Sequence, residues 1–345
     1  AHRAADGMRE EQQRRKRISR RRCVATIAAV LLVAGGLYAV SSRIEANGQR
    51  QERGVAQSEI GQRKQVTYEG KTYAERVGMT KLLLMGVDKQ GEAARNDARQ
   101  GGQADFLLLV LLDHQNHQIR TLQLDRDTMT AVEVLGVLGN PVGTREMQIC
   151  LSHGYGMTEE ASCENTLNAV ENLLEGADIE YYVAMNMDAI GILNDALGGV
   201  TVTLEDDFTA IDPTMRQGET LTLTAEQAET FVRGRMSVGD GTNNARMARQ
   251  RTYMDAAAQR LKEKLSEKAN FLDELFKRLG DNVTMNIKQG RLLNEVNRSY
   301  KYTQLPVETL AGSYTMGADG FVEFHPAEDA AIQWVLQALY EPVEE

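Results

Sequence analysis

Three apolar runs constrain this chain more than anything else in it. Lys81 to Val87 reads KLLLMGV, Asp105 opens FLLLVLLD, and Gln118 to Leu124 reads QIRTLQL. A strand with one face in water alternates apolar and polar residues, whereas unbroken runs suit strands covered on both faces. Asp113-His114-Gln115-Asn116 is a turn signal between the second and third runs. Each run also carries charge at one end: Asp88 after the first, Asp105 before the second, and Asp125-Arg126-Asp127-Thr128 after the third. The expectation is a buried sheet with a polar site along one edge.

The other segments supply the layers around such a sheet. Val66 to Arg76 reads as two short strands about Glu69-Gly70. Residues 161–175 have helical period, with Leu167, Val170, Leu173 and Leu174 on one face. A strand over 181–185, a helix over 187–197 stopped by Gly198-Gly199, and a strand over 200–204 follow. Thr224-x-x-Gln227 is a capping box that starts a helix. Residues 245–279 read as mostly helix, 307–310 with 321–324 as a hairpin about 317–320, and 326–340 as a last helix. Mixed connections of this kind give an α/β or α+β class built on one mixed sheet. No internal repeat is evident.

Charge reverses locally between Phe231 and Arg251. Arg233, Arg235, Arg246, Arg249 and Arg251 share this stretch with a single acid, Asp240. On an extended segment Arg233 and Arg235 would point to one face. On a helix Arg246, Arg249 and Gln250, at i, i+3 and i+4, share a face. The loop SVGDGTNN between them lets the two groups converge. A guanidinium is a planar fork that matches phosphate oxygens bidentately. The plainer alternative is a set of surface ion pairs.

The net charge of −10 is unevenly spread. Residues 1–22 carry nine basic and three acidic side chains, and the remainder 30 basic against 46 acidic, a net of −16. So acidic a body excludes general nucleic-acid binding. The basic tail ends in RRKRISRRR, followed by Cys23 to Val40, eighteen residues without a charge. At ~1.5 Å per residue that run crosses a hydrocarbon core of about 30 Å. Positive charge before it puts the N-terminus in the cytoplasm, with the body from Ser41 onward outside. A cleaved signal peptide is the competing reading, but no clear A-x-A site follows the run. Cys150 and Cys163 either pair in that oxidising setting or stay as buried thiols. No CxxC or clustered histidine gives zinc spacing, and G-x-S-x-G, P-loop and HExxH motifs are all missing.

The candidate residues each have a structural alternative. Asp88 and Asp105 at one sheet edge would form a sparse oxygen site of the kind Mg²⁺ shares with water and phosphate; alone, each is an ordinary strand-end acid. Arg126 between Asp125 and Asp127 can be held by an acid while it faces an anion, or be a plain ion pair. Asp240 is a counter-ion or a base whose pKa nearby arginines would lower. His153, in the turn HGYG, suits packing better than catalysis.

Taken in order, these pieces resemble the LytR–CpsA–Psr family of cell-wall phosphotransferases. The matching residues are the basic tail with one span, LLLMGVD (82–88), ADFLLLVLLD (104–113), LDRDT (124–128), SHGYG (152–156), DALGGVTV (195–202), GETLTLTAEQAETFVRGR (218–235) and GDGTNNARMARQR (239–251). The resemblance implies an α/β/α arrangement around a central mixed sheet, preceded by one N-terminal transmembrane helix, and a hydrophobic pocket for a polyprenyl chain. The expected organisation is a cytoplasmic tail (1–22), a span (23–40), a linker (41–65) and an extracytoplasmic catalytic domain (66–345). The activity implied is transfer of a glycopolymer phosphate from a polyprenyl-pyrophosphate carrier to peptidoglycan, with Mg²⁺ as cofactor. The partners are therefore that lipid-linked polymer, peptidoglycan and the membrane. By position, Asp88 and Asp105 correspond to the metal carboxylates. Arg126, Arg233, Arg235, Arg246 and Gln250 correspond to the pyrophosphate binders, and Arg126, Asp240 and Arg235 to the catalytic set. Lys89 stands where the family has Ser or Arg, Phe106 where it has Thr, and Asp125 where it prefers Pro. Gln148 is the nearest equivalent of a family lysine. A non-catalytic lipid-phosphate or wall-polymer binder, and a pyrophosphate hydrolase, are the alternative functions.

The proposed topology has a direct test. A cysteine introduced within 44–60 should react with a membrane-impermeant thiol reagent in intact cells. Labelling only after lysis would overturn the orientation.

Overall fold

The structure, a computed structural model, describes residues 63–89, 102–136, 138–268, 270–299 and 301–343. The expected tail, transmembrane helix and nearly all of the linker lie outside the described residues. Among those that are described, no helix is long and apolar enough to cross a membrane.

A hairpin opens the body. Strands β1 (Gln65–Tyr68) and β2 (Lys71–Glu75) are joined through Glu69 and Gly70, both at positive φ, 47° and 76°. A two-residue hairpin turn requires that conformation, and the glycine adopts it without strain. The apolar runs become β3 (Met79–Val87), β4 (Ala104–Asp113) and β5 (Gln118–Leu124). Next comes a hairpin of β6 (Met129–Leu135), which buries Val132 and Val134, and the exposed β7 (Pro141–Gln148), which has no buried face to leave a pattern in the sequence. Helix α1 (Glu159–Leu173), β8 (Tyr181–Asn186), α2 (Asp188–Leu197) and β9 (Thr201–Thr203) follow close to expectation.

Strand β10 (Thr220–Thr222) pairs with β9 and leads into α3 (Ala225–Arg233). Its capping box is formed in both directions: Gln227 N donates to Thr224 Oγ1 at 3.2 Å, and Thr224 N to Gln227 Oε1 at 3.1 Å. The long helix expected over 245–279 is two, α4 (Asn243–Glu267) and α5 (Phe271–Leu279), because Lys268 turns extended at φ −146°. Strand β11 (Val283–Met285), α6 (Gln289–Ser299), β12 (Thr303–Gln304), β13 (Gly312–Met316), β14 (Val322–Pro326), α7 (Ala330–Leu339) and β15 (Tyr340–Pro342) complete the chain. The second hairpin is therefore 312–326, and residues 307–310 are not its first strand. The backbone at 305–308 bonds to the edge of β5 instead: Leu305 N to Ile119 O, Glu308 N to Thr121 O, and Gln123 N to Glu308 O, each 2.9 Å.

The central sheet has the order β11-β8-β3-β4-β5-β12, with β8 parallel to β3, β12 parallel to β5 and the other pairs antiparallel. Strand pleating divides the apolar runs between two cores. Leu82, Leu84, Leu108 and Val110 face α2 to α6, while Leu83, Met85, Leu107 and Leu109 face α1 and α7. Successive central positions of these strands are buried on both faces, so the runs need no alternation. Cys150 and Cys163 are both buried and free, so the pairing alternative is not the one formed.

Leu109 has no exposed surface. Leu109→Ala should lower stability by roughly 2–5 kcal/mol through lost transfer energy and a residual cavity. Urea unfolding monitored by circular dichroism checks this, and an unchanged midpoint would contradict the two-sided burial.

Candidate functional site

Strands β3, β5 and β8 run in one direction, so their carboxyl ends open together at one edge of the sheet. Open α/β sheets place ligand sites at that edge. Asp88 follows β3, Asp125 to Asp127 follow β5, and Asn186 ends β8. Asp105 reaches the edge by a different route. Gly86 pairs with Phe106 but Val87 with Ala104, so Asp105 is the extra residue of a β-bulge. A bulge re-aims one side chain without ending the strand.

That carboxylate bridges two guanidiniums. Arg126 Nη1 donates to Asp105 Oδ1, and Arg246 Nη1 to Asp105 Oδ2 at 3.1 Å. Arg126 also donates to Gln103 Oε1 at 2.6 Å and to Asp127 Oδ1 at 3.3 Å. Arg246 enters from the first turn of α4, where its Nε and Nη2 donate to Asn243 Oδ1 at 3.1 and 2.6 Å. Asn243 in turn donates to Asp125 Oδ1 at 2.7 Å, and Tyr314 OH to Asp125 Oδ2 at 2.6 Å. The start of α4, the end of β5, the bulge and β13 are thus fastened in one network. Asp125, Gln103, Asn243 and Tyr314 are additions to the expected set. The flanking acids of LDRDT hinted at the first, and nothing local marks Tyr314.

Burial and neighbouring charges act on the site's groups in opposing directions. Burial lowers the pKa of Arg246, and nearby Arg126 and Arg235 lower it further against the pull of Asp105. Burial works against Arg126 as well, but Cys150, Asp105 and Asp127 hold its pKa above the ordinary value. Burial and then Asp125 raise the pKa of Asp127 against Arg126, Arg235 and Arg246, and its Oδ2 is buried without a partner. Burial pushes the Cys150 thiol up to about 12, so it sits beside Arg126 as a neutral group and not as a nucleophile.

The remaining arginines divide by role. Arg233 is the last residue of α3, not part of an extended segment, and Gly234 after it caps the helix. It pairs with Glu229 one turn back and, through Nη2, with Asp88 Oδ1 at 2.8 Å. Arg235 donates only from Nε, to Gly241 O at 3.4 Å, and no carboxylate among the described residues forms an ion pair with it. Its fork is the least committed in the cluster. Gln250 is buried between Gln123 and the Val232 carbonyl. Asp240 is exposed, and its Oδ1 accepts from Thr242 N at 2.8 Å and Thr242 Oγ1 at 2.7 Å. Those bonds hold its pKa below the usual carboxylate range, which makes it a weak base and a firm lock on the turn into α4. Arg249 turns away, bonding Asp206 Oδ2 at 2.5 Å and the Gly234 carbonyl and lying 5.6 Å over the Phe208 ring.

An apolar groove of about 100 Å³ leads from this cluster between the sheet and α2, α3 and α4. Phe106, Ile190, Leu193, Val232 and Met254 form its sides, and Asp105, Arg233 and Arg246 line it as well. Such a shape suits an amphiphile with an anionic head. Asp88 and Asp105 are the carboxylate donor type that Mg²⁺ takes when water and phosphate complete its shell, and here both carboxylates are engaged by arginines. No group of three His, Cys, Asp or Glu among the described residues could hold a metal alone.

A model of the LytR_cpsA_psr family matches residues 42–335. The polyisoprenyl-teichoic acid–peptidoglycan teichoic acid transferase TagU of Bacillus anthracis is 26% identical over 318 residues, covering 90% of this chain and 93% of its own. Among solved structures, protein gbs0355 of Streptococcus agalactiae superposes with a TM-score of 0.61 at 21% identity, over 75% of this chain and 86% of its own. TagT bound to LI-WTA superposes with a TM-score of 0.56 at 21% identity, over 75% and 89%. These structures share the mixed-sheet fold.

The division among the arginines is testable at Arg249. Arg249→Ala removes contacts to Asp206 and Gly234 and should cost roughly 1–3 kcal/mol of stability. Anion affinity of the folded fraction, measured by calorimetric titration with inorganic pyrophosphate, should not change. Lost affinity at intact stability would move Arg249 into the binding set.

Proposed function

The chain belongs to the LytR–CpsA–Psr family, and on that premise we propose that it is a membrane-anchored, extracytoplasmic transferase of cell-wall assembly. It moves a glycopolymer phosphate from a polyprenyl-pyrophosphate carrier onto peptidoglycan. The observation that carries this reading is the apolar groove with Asp105, Arg233 and Arg246 in its walls and the Arg126 and Arg235 forks nearby. A polyprenyl tail gains about 0.8 kcal/mol for each CH₂ it buries in such a groove, while its pyrophosphate meets the guanidiniums. The name of TagU describes transfer from a polyisoprenyl-linked teichoic acid to peptidoglycan, and TagT binds LI-WTA. Both agree with the same substrate class.

The residues then have separable tasks. Arg235 and Arg233 meet the pyrophosphate from the end of α3, and Arg126 and Arg246 from the network on Asp105. An acceptor sugar hydroxyl attacks the distal phosphorus and forms a new P–O bond. The P–O bond to the bridging oxygen breaks, polyprenyl phosphate leaves with the electron pair, and the hydroxyl proton passes to solvent. Fixed guanidiniums stabilise charge as it builds on the bridging and equatorial oxygens. Mg²⁺, held by Asp88 and Asp105, would supply further neutralisation of the pyrophosphate. Asp240 keeps the turn that presents Arg235 and α4. The span expected over 23–40 would hold the body near its lipid donor.

Arg235→Ala is the cleanest test, because no protein ion pair is lost with it. Transfer by the full-length protein, from a polyprenyl-pyrophosphate donor to peptidoglycan oligomers, should fall by an amount equivalent to roughly 2–5 kcal/mol. The unfolding midpoint should stay constant. Arg235→Lys should recover part of the loss, since it keeps charge but not the fork. Arg126→Ala should lose transfer and stability together, and Arg43→Ala in the linker should do neither. Full transfer by Arg235→Ala would remove the pyrophosphate assignment. Free phosphopolymer without glycan-bonded product would identify a hydrolase, and unchanged donor a binding protein.

A further inference from the structure

A second groove, of about 490 Å³, opens at the same sheet edge, and the transfer reading gives it no task. It lies between the start of α1, the end of β8, and the segment 280–289 that contains β11. Met185 and Asn186 line both grooves, so the end of β8 is their common wall. The apolar groove runs under α2 to α4. The second groove meets Val87 and Ala184 of the α1 side and, around the edge strand β11, Val283 and Ile287 of the other core.

Its character is different as well. Lys89, Glu159, Asn186, Thr284, Asn286 and Lys288 are among its lining residues. Several are fixed in place. Lys89 Nζ donates to Glu159 Oε2 at 2.8 Å, Asn186 Nδ2 to Asn282 Oδ1 at 2.8 Å, and Asn286 Nδ2 to the Glu180 carbonyl at 3.1 Å. Thr284 points away from the core that takes its neighbour Val283, as pleating requires. Thr284 and Lys288 make no side-chain bond to any described residue, which leaves a hydroxyl and an ammonium to face a ligand. Rigid amides and carboxylates with a few open donors match the alternating donors and acceptors of a sugar chain. The volume falls within the range of ordinary ligand sites.

Reaction geometry decides which sugar chain. Attacking and leaving oxygens in phosphoryl transfer lie roughly in line across the phosphorus. If the leaving polyprenyl phosphate occupies the apolar groove, the nucleophile arrives from the far side of the strand ends. Lys89, on the rim of the second groove, directly follows Asp88, whose carboxylate pairs with Arg233 of the first. We propose that this polar groove between α1, β8 and β11 is the acceptor subsite and binds the glycan chain of peptidoglycan beside the scissile phosphate. This rests on the transferase reading, and it assigns to Thr284 and Lys288 a part in acceptor recognition.

The test is designed to separate the two ideas. Peptide-free glycan oligomers are titrated calorimetrically into the full-length protein without donor. The wild type should bind, Thr284→Trp should block the groove, and Lys288→Ala, an exposed change that spares the fold, should weaken binding about tenfold. Equal binding by all three proteins, or none by the wild type, would overturn the subsite. In transfer assays the same variants should raise KM for the acceptor and leave KM for the donor constant. A rise in donor KM alone would assign the groove to the donor polymer and overturn the proposal. Glycan binding by the wild type without any transfer would sink the transferase reading while leaving the groove a glycan site.

Discussion

One carboxylate holding two guanidiniums organises this molecule. Asp105 bridges Arg126, from the end of β5, and Arg246, from the first turn of α4. Without it two buried cations would face each other across a few ångströms of low-dielectric interior. With it they are held close, and burial first, then the neighbouring arginines, lower the pKa of Arg246. The bulge that delivers Asp105 exists because β4 carries one more residue than β3 can match. A defect in strand register is therefore what brings the charge to the sheet edge.

The support around this pair centres on a second carboxylate. Asp125 accepts from Asn243, from Tyr314 and from the Asp127 amide, so its charge is spent on fixing the start of α4 and β13 against β5. The departure from proline at this position thus has a structural use. Arg249 anchors the loop before α4 to Asp206. Arg235 is left with its fork open, bonded only through Nε to the Gly241 carbonyl. Arg249 and Arg235 thus differ in how far they are committed to protein partners, although both are arginines within fifteen positions of each other.

Much of this was legible beforehand. The unbroken apolar runs called for strands buried on both faces, and the two cores divide their side chains as the pleat dictates. Charge at the run ends called for a site at one edge, where Asp88, Asp105 and Arg126 do lie. The errors have a common cause. The segment 307–310, expected in a hairpin, follows backbone that bonds the edge of β5, Arg233 stayed helical, and the exposed β7 left no apolar pattern. Each was decided by a distant partner or by the lack of any, which local periodicity does not register.

The chain itself determined the layers, the capping box at Thr224 and the concentration of arginines, because burial, helix capping and charge density are local properties of residue type and spacing. Only the tertiary structure decided which arginines share a carboxylate, which one keeps an open fork, and that an apolar groove and one of mixed polarity meet at the end of β8. Those outcomes depend on strand register and on contacts between residues more than a hundred positions apart, such as Asp105 with Arg246. Spacing along a sequence carries no information about distance across a sheet.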